Sequence, residues 1–391
     1  MLFAILLGFT FGFEAWSNSA VQSCVDQYGS LLRVDKIPGK GSYLYLKAEG
    51  SGLRDFDSIA DLKFGQFNIE NLYQYSEKFV IDPETGHKAV TRPATAKSRE
   101  KFRMNRELLE RADNDIMVWQ EVDDLAAAKD FVDQELGGRY RVVVVEGIGD
   151  SPNANKSMEV ALLVKKDLPF DLEIQSHKDV SYYNRRTRSQ EKLQSRDLLV
   201  ARFRRTGADP TSPPLFTIQG GHFRSMRPRK DDPVKSVKKR TLQYNHAIEL
   251  RRAEEVAFPD TPVFMIADFN SNLRDLPGRS RSREADFLLD PERGGFTDSF
   301  DLVTRKKPQE YITHTFHLDA DGAEYTQLDG ILVNSRGREL GLVKEAKVIP
   351  FKDIRGKVLS PAKTAAERNL QGSDHRLVQT VIDFEKLRGG K

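Results

Sequence analysis

Apolar runs closed by a single polar residue recur along this chain. Residues 63–69, KFGQFNI, offer Phe64, Phe67 and Ile69 to a core, as a strand would. DIMVWQEV, at residues 115–122, predicts a buried strand. YRVVVVEG, EVALLVKK, RDLLVARF, PLFTIQGGHF, PVFMIADFN, QLDGILVN and RLVQTVIDF repeat that pattern further on. An earlier short strand is expected at SYLYLK, residues 42–47, punctuated by Gly50 and Gly52. Helical spacing is sparser. From Ser98, a candidate cap, Phe102, Leu109 and Ala112 fall on one face with Leu108 beside them. A second helix is expected over residues 123–136, stopped by Gly137 and Gly138, and a third over roughly 234–256. Residues 82–92 read as a polar loop. Many strands with few helices predict an α/β four-layer sandwich: two mixed, mostly antiparallel sheets face to face, helices outside. One domain is expected from Asp61 to Leu387, after an extension over residues 25–60 and a separate segment over residues 1–24.

Composition narrows the class. A hydrophobic share of 39% and a charged share of 30% suit a packed core and argue against disorder or a multi-span membrane protein. The net charge is only +3, from 61 basic and 58 acidic residues, so an anionic partner must be attracted locally. One cysteine, Cys24, allows neither an intramolecular disulfide nor a cysteine-based zinc site. The uncharged run Leu2 to Phe13 is too short to span a bilayer as a helix. It fits the apolar part of a secretory signal, with Ala15 and Ser17 at cleavage positions, and VQSC, ending on Cys24, is similar to a lipoprotein box. No Lys or Arg precedes the run, and Gln22 is unusual in such a box. Export (periplasmic, secreted or lipid-anchored at Cys24) is the expectation. A buried N-terminal helix in a cytoplasmic protein is the alternative.

Chemistry-bearing residues gather at strand ends. Asn68 and Glu70 close one strand, Glu121 closes another and Glu159 opens a third. His222, Asp268 and Asn270 close later ones, Asp329 lies within QLDGI, and Asp374 and His375 open the last. In FNIENLY, WQEV, GGHFRS, ADFN, QLDGILV and GSDHR, in that order, the chain resembles the endonuclease/exonuclease/phosphatase superfamily from about Phe64 to Phe384. Two motifs depart from its pattern: Gly220 and Gly221 stand where an Asn is common before the motif His, and Ala267 where Gly is frequent.

The resemblance implies metal-dependent hydrolysis of phosphate esters. A hard cation, Mg²⁺ or Mn²⁺, would take oxygen ligands from Asn68, Glu121 and Asp374. His375 would be oriented by Asp329 and His222 by Glu159. Asp268 would orient or deprotonate the attacking water, and Asn270 would donate to a phosphoryl oxygen. Arg196 looks like a phosphate-contacting arginine. Plainer readings stand beside these. Asn68, Asp268 and Asn270 suit turns, Glu121 a surface, Asp329 a cap, and Glu159 equally an exposed strand position. His314 and His317, three apart on a strand, point to opposite faces and read as structural.

Two basic stretches, residues 185–205 and 222–240, each carry eight basic and two acidic residues. Both would attract a phosphate backbone, with Tyr182 and Tyr183 available to stack on bases. The expected activity is therefore that of a nuclease on DNA or RNA, by a monomer needing no obligate protein partner. A phosphatase or phospholipase-type phosphodiesterase acting on sphingomyelin or an inositol phosphate is the rival on the same scaffold. A catalytically silent binding module is the rival of another class.

Overall fold

The computed structural model describes residues 23–25, 31–36, 42–48, 50–70, 72, 78–81, 88–92, 96–122, 124–144, 159–178, 180–184, 187–194, 196–225, 233–303, 307–318 and 322–389. Leu2 to Phe13 and the proposed cleavage positions Ala15 and Ser17 lie outside the described residues.

Two mixed sheets face each other. The larger runs Ser23–Val25, Leu31–Lys36, Ser42–Leu46, Phe170–Ser176, Leu198–Arg205, Phe216–His222, Val263–Asp268, Asp329–Asn334, Phe296–Asp298. The smaller runs Val343–Ile349, Leu377–Asp383, Asp61–Asn68, Ile116–Val122, Glu159–Lys165, Tyr140–Val144. Each has one parallel pair, Phe216–His222 with Val263–Asp268 and Asp61–Asn68 with Ile116–Val122. The four-layer sandwich predicted from the sequence is the architecture observed.

Its core is aromatic. Phe64, Phe170, Phe203, Phe216 and Phe264 fill the space between the sheets, with Phe203 and Phe216 stacked at 4.4 Å. Gly220 lets the sheets close, since a Cβ there would sit 3.2 Å from Val118 of the facing sheet. Helices Ala96–Ala112 and Leu125–Glu135 cover the smaller sheet, where Trp119 meets Phe131 edge-on at 5.7 Å. Helix Pro233–Ala257 covers the larger through Tyr244, Ala247 and Ile248.

Several elements depart from the sequence pattern. Ser98, the expected cap, lies inside a helix that begins at Ala96. The expected loop at residues 82–92 ends in a strand, Lys88–Arg92, paired with Lys78–Ile81. Phe170–Ser176 and Val343–Ile349 are strands whose charged positions broke the apolar run that marked the others.

Strand polarity puts the chemistry at one edge. His222 is the register partner of Asp268 across the parallel pair, and Asp268 that of Asp329 across the next. Asn68 is level with Gln120 at the corresponding edge of the facing sheet. Three non-glycine residues at this edge, Glu70, Glu121 and Asn270, have φ of 50°, 63° and 50°. Left-handed backbone at such residues is strained and persists where the surroundings impose it.

Candidate active site

Asp268 is the centre of the site. Its carboxylate is 1% exposed. Oδ1 accepts from the backbone of Asn270 at 2.8 Å, and Oδ2 from Asn68 Nδ2 at 3.0 Å. Oδ2 also lies 3.3 Å from His222 Nε2 and 4.0 Å from His375 Nε2. Burial pushes this carboxyl up to about 7, and the charge of Asp329 adds to that against the attraction of His375.

His375 reaches across from the facing sheet. Its Nδ1 donates to Asp329 Oδ2 at 2.8 Å, and the other Asp329 oxygen accepts from Gln66 at 2.7 Å. Burial works against the imidazolium. Asp329, then Asp268 and Asp374, outweigh it and hold the pKa well above the usual histidine value. His222 is the opposite case. Burial, with the charges of Arg196 and His375, pushes it well below the usual value, so it is neutral at pH 7. The neutral ring sets Nε2 beside Asp268 Oδ2, and its Nδ1 is buried without a hydrogen-bond partner.

Ser373 shapes the turn before the last strand. Its hydroxyl donates to Asn68 O at 2.8 Å and accepts from His375 N at 3.0 Å. This bend brings two adjacent side chains together, with His375 Nε2 3.8 Å from Asp374 Oδ1. Glu70 supports the turn through Oε2, which accepts from Asp374 N at 3.2 Å and from Lys101 at 2.7 Å. Asp374 Oδ2 faces His314 Nε2 at 3.6 Å and Arg368 at 3.7 Å. Burial would raise the Asp374 carboxyl, but the His314 hydrogen bond and the cations around it hold it far below the carboxylate range.

Two groups of buried or half-buried ligating atoms could hold a metal ion: Asp268, Asp329 and His375, and His314, Asp374 and His375. Glu121 belongs to neither. It sits at a register shift between Gln120 and Val122 and is half-buried in left-handed backbone.

No family model and no curated protein matches this sequence. Among solved structures, the fold is similar to D. rerio TDP2 humanized by 14 mutations, at 13% identity and a TM-score of 0.50, over 83% of this chain and 99% of that one. An endonuclease/exonuclease/phosphatase family protein from Leptotrichia buccalis C-1013-b matches at 14% identity and 0.49, over 83% and 100%. This chain has the endonuclease/exonuclease/phosphatase fold. The human Nocturnin catalytic domain with bound sulfate aligns at 14% identity and 0.48, over 86% and 96%. A shared fold at such identities does not fix the substrate, which must be argued from the site.

Within this endonuclease/exonuclease/phosphatase fold, Asn68, His222, Asp268, Asn270, Asp329, Asp374 and His375 form one connected set of contacts. Arg196 lies beneath it. Its Nη1 donates to Phe223 O at 3.2 Å, the carbonyl that also accepts from Asn270 Nδ2 at 3.1 Å, and it feels the charges of Glu121 and Asp268. Glu159 is a correction. Its Oε1 pairs with Lys178, and His222 turns to Asp268 instead. Glu159 is 1% exposed, so it is no surface position either. Removing one partner of a buried ion pair costs about 3 kcal/mol or more. Glu159→Ala is therefore expected to lower stability by about that amount in urea unfolding.

His314, read from spacing as structural, is buried against Asp374, with its ring centroid 4.4 Å from that of His375. The strand-end rule applied elsewhere would have found it, since His314 opens the strand His314–Leu318. The basic stretches are absorbed in part. Arg202 and Arg204 pair with Glu173, Arg202 also with Glu254, and Arg240 with Glu284. Arg185, Arg186 and residues 226–232 lie outside the described residues. Tyr182 bonds Glu191 at 2.9 Å, while Tyr183 is exposed.

Proposed function

We propose that this chain is a metal-dependent phosphodiesterase acting on nucleic acid. The observation that carries the reading is the setting of Asp268: a buried carboxylate with a raised pKa between a neutral imidazole and a carboxylate-held imidazolium. Hydrolysing a phosphodiester needs a base for water near neutral pH and fixed positive charge beside the phosphoryl oxygens. Asp268 suits the first task. His375, kept charged by Asp329, suits the second and can pass a proton to the leaving oxygen. One N–H of the Asn270 amide is committed to Phe223 O, and the other donates to a phosphoryl oxygen. His222, neutral, packs its Nε2 3.3 Å from Asp268 Oδ2 and orients it.

The oxygen donors fit a hard divalent cation, Mg²⁺ or Mn²⁺, which keeps several waters and uses few protein ligands. Glu121 and the Asn68 amide oxygen would hold it, with Asp374 contributing directly or through water. Asn68 Oδ1 accepts one bond, from Glu70 N at 3.1 Å, and has a second lone pair. Such a cation supplies Lewis-acid stabilisation of developing charge on the phosphoryl oxygens. The intact acid, base and ligand positions disfavour a silent binding module. Nucleic acid is preferred as substrate because Tyr183 is exposed on a basic hairpin whose chain leads directly to Arg196.

The test is the purified chain on plasmid DNA, RNA, sphingomyelin and inositol phosphates, with Mg²⁺, Mn²⁺, Ca²⁺ or chelator. Cleavage of DNA or RNA that chelator abolishes is expected. Turnover of sphingomyelin or inositol phosphate with inert nucleic acid would replace the substrate assignment.

A further inference from the structure

Beside Asp268, two imidazoles converge on one carboxylate. His314 Nε2 is 3.6 Å from Asp374 Oδ2, and His375 Nε2 is 3.8 Å from Asp374 Oδ1. The three ligating atoms lie within 4.8 Å of one another. Ligands around tetrahedral zinc, bonded at about 2.1 Å, are separated by about 3.4 Å. The observed spacings are therefore a small side-chain rotation from a coordination shell.

The far nitrogens are engaged as those of metal-bound imidazoles usually are. His375 Nδ1 donates to Asp329 at 2.8 Å, and His314 Nδ1 lies 3.4 Å from Thr326 Oγ1. Both leave Nε2 directed at the shared space. The backbone fixes the pair: His314 and His375 form an antiparallel bridge, and Arg376 N donates to Thr313 O at 2.7 Å. Arg368, 3.7 Å from Asp374 Oδ2, is the opposing charge and must swing outward when a cation enters.

We propose that His314, Asp374 and His375 form a site for an imidazole-preferring divalent cation of the zinc class, adjoining the oxygen-donor position at Glu121 and Asn68 and sharing only Asp374 with it. Two nitrogen donors out of three select against Mg²⁺ and Ca²⁺, which take oxygen, and suit Zn²⁺, Co²⁺ and Ni²⁺. A cation there ties up His375 Nε2, the atom facing Asp268. Zinc then acts as a reversible brake on hydrolysis, a consequence that rests on the proposed phosphodiesterase reading, whereas binding itself does not.

The test titrates metal-freed full-length protein with Co²⁺, followed by calorimetry and visible absorption. One bound cobalt per chain with the strong visible band of a four- or five-coordinate ion is expected. Binding should weaken at least tenfold in His314→Ala and in His314→Gln, with Mg²⁺ binding unchanged. The Gln variant keeps bulk and a polar group near Thr326, and guards against a folding defect. Cobalt affinity unchanged in His314→Gln, or Co²⁺ and Mg²⁺ affinity falling together, overturns the site. In the Mg²⁺-supported reaction, added Zn²⁺ should slow the wild type more than His314→Gln. A chain that binds cobalt as stated yet cleaves no phosphodiester upholds the site and removes the hydrolytic reading alone.

Discussion

His375→Ala is expected to lower phosphodiester hydrolysis by roughly 10³- to 10⁴-fold, near the upper range for a positioned proton-transfer group. The magnitude follows from what the ring does at once. Its Nε2 faces Asp268, and its Nδ1 consumes a carboxylate oxygen of Asp329, which is 0% exposed. Deleting the ring removes the acid and leaves a buried carboxylate with the Gln66 amide still donating to it. Part of the loss could come from stability, so the rate must be compared per folded molecule, with folding followed by urea unfolding. Asp329→Asn separates the two contributions. It keeps an oxygen for the ring but withdraws the charge that chiefly sustains the imidazolium. His375 then loses its proton at lower pH, and the descending limb of the pH–rate profile moves toward acid. A descending limb that stays in place in Asp329→Asn, or a full rate in His375→Ala, would remove His375 from the chemistry. Free imidazole restoring part of the His375→Ala rate would place the missing group at the reacting phosphate.

Much of this geometry can be read in the sequence because strand ends are local signals. An apolar run followed by Asp, Asn or His marks where a buried strand meets the edge of its sheet, and Asn68, His222 and Asp268 carry that signature. The sandwich follows from the same runs, since faces apolar on this scale must be covered by a second sheet or by helices. What escapes the sequence is pairing between distant elements. Glu159 opens a strand of the smaller sheet, while Lys178 follows a strand of the larger one, so their ion pair exists only after the sheets close. Spacing within one strand assigned His314 and His317 to opposite faces and said nothing about what lay opposite. Asp374 supplies the answer from another element. The one-residue register shift at Glu121 is likewise invisible in WQEV, because a bulge depends on the partner strand.

Asp268→Asn should be as damaging as His375→Ala, and its pH signature is sharper. The carboxylate is buried among Asn68, Asn270 and two imidazoles, and burial brings its pKa to about 7. A base must be unprotonated to act. The wild-type rate should therefore rise with pH through about 7 as Asp268 ionises. It should fall only where His375 loses its proton, well above the usual histidine value. Between these limits Asp268 is anionic and His375 cationic, the one arrangement that both accepts a proton from water and offers charge to the phosphate. Asparagine keeps the size and one oxygen, which can accept from Asn270 or from Asn68 but not from both, and it cannot take a proton. The rate should drop by roughly 10³-fold or more, and the ascending limb should vanish with it. The measurement is kcat/KM against pH for a chromogenic diester at saturating Mg²⁺, on both proteins. An ascending limb that survives in Asp268→Asn would show that another group carries the base. His222 could not fill that place, because a ring held neutral by burial loses no proton in that range.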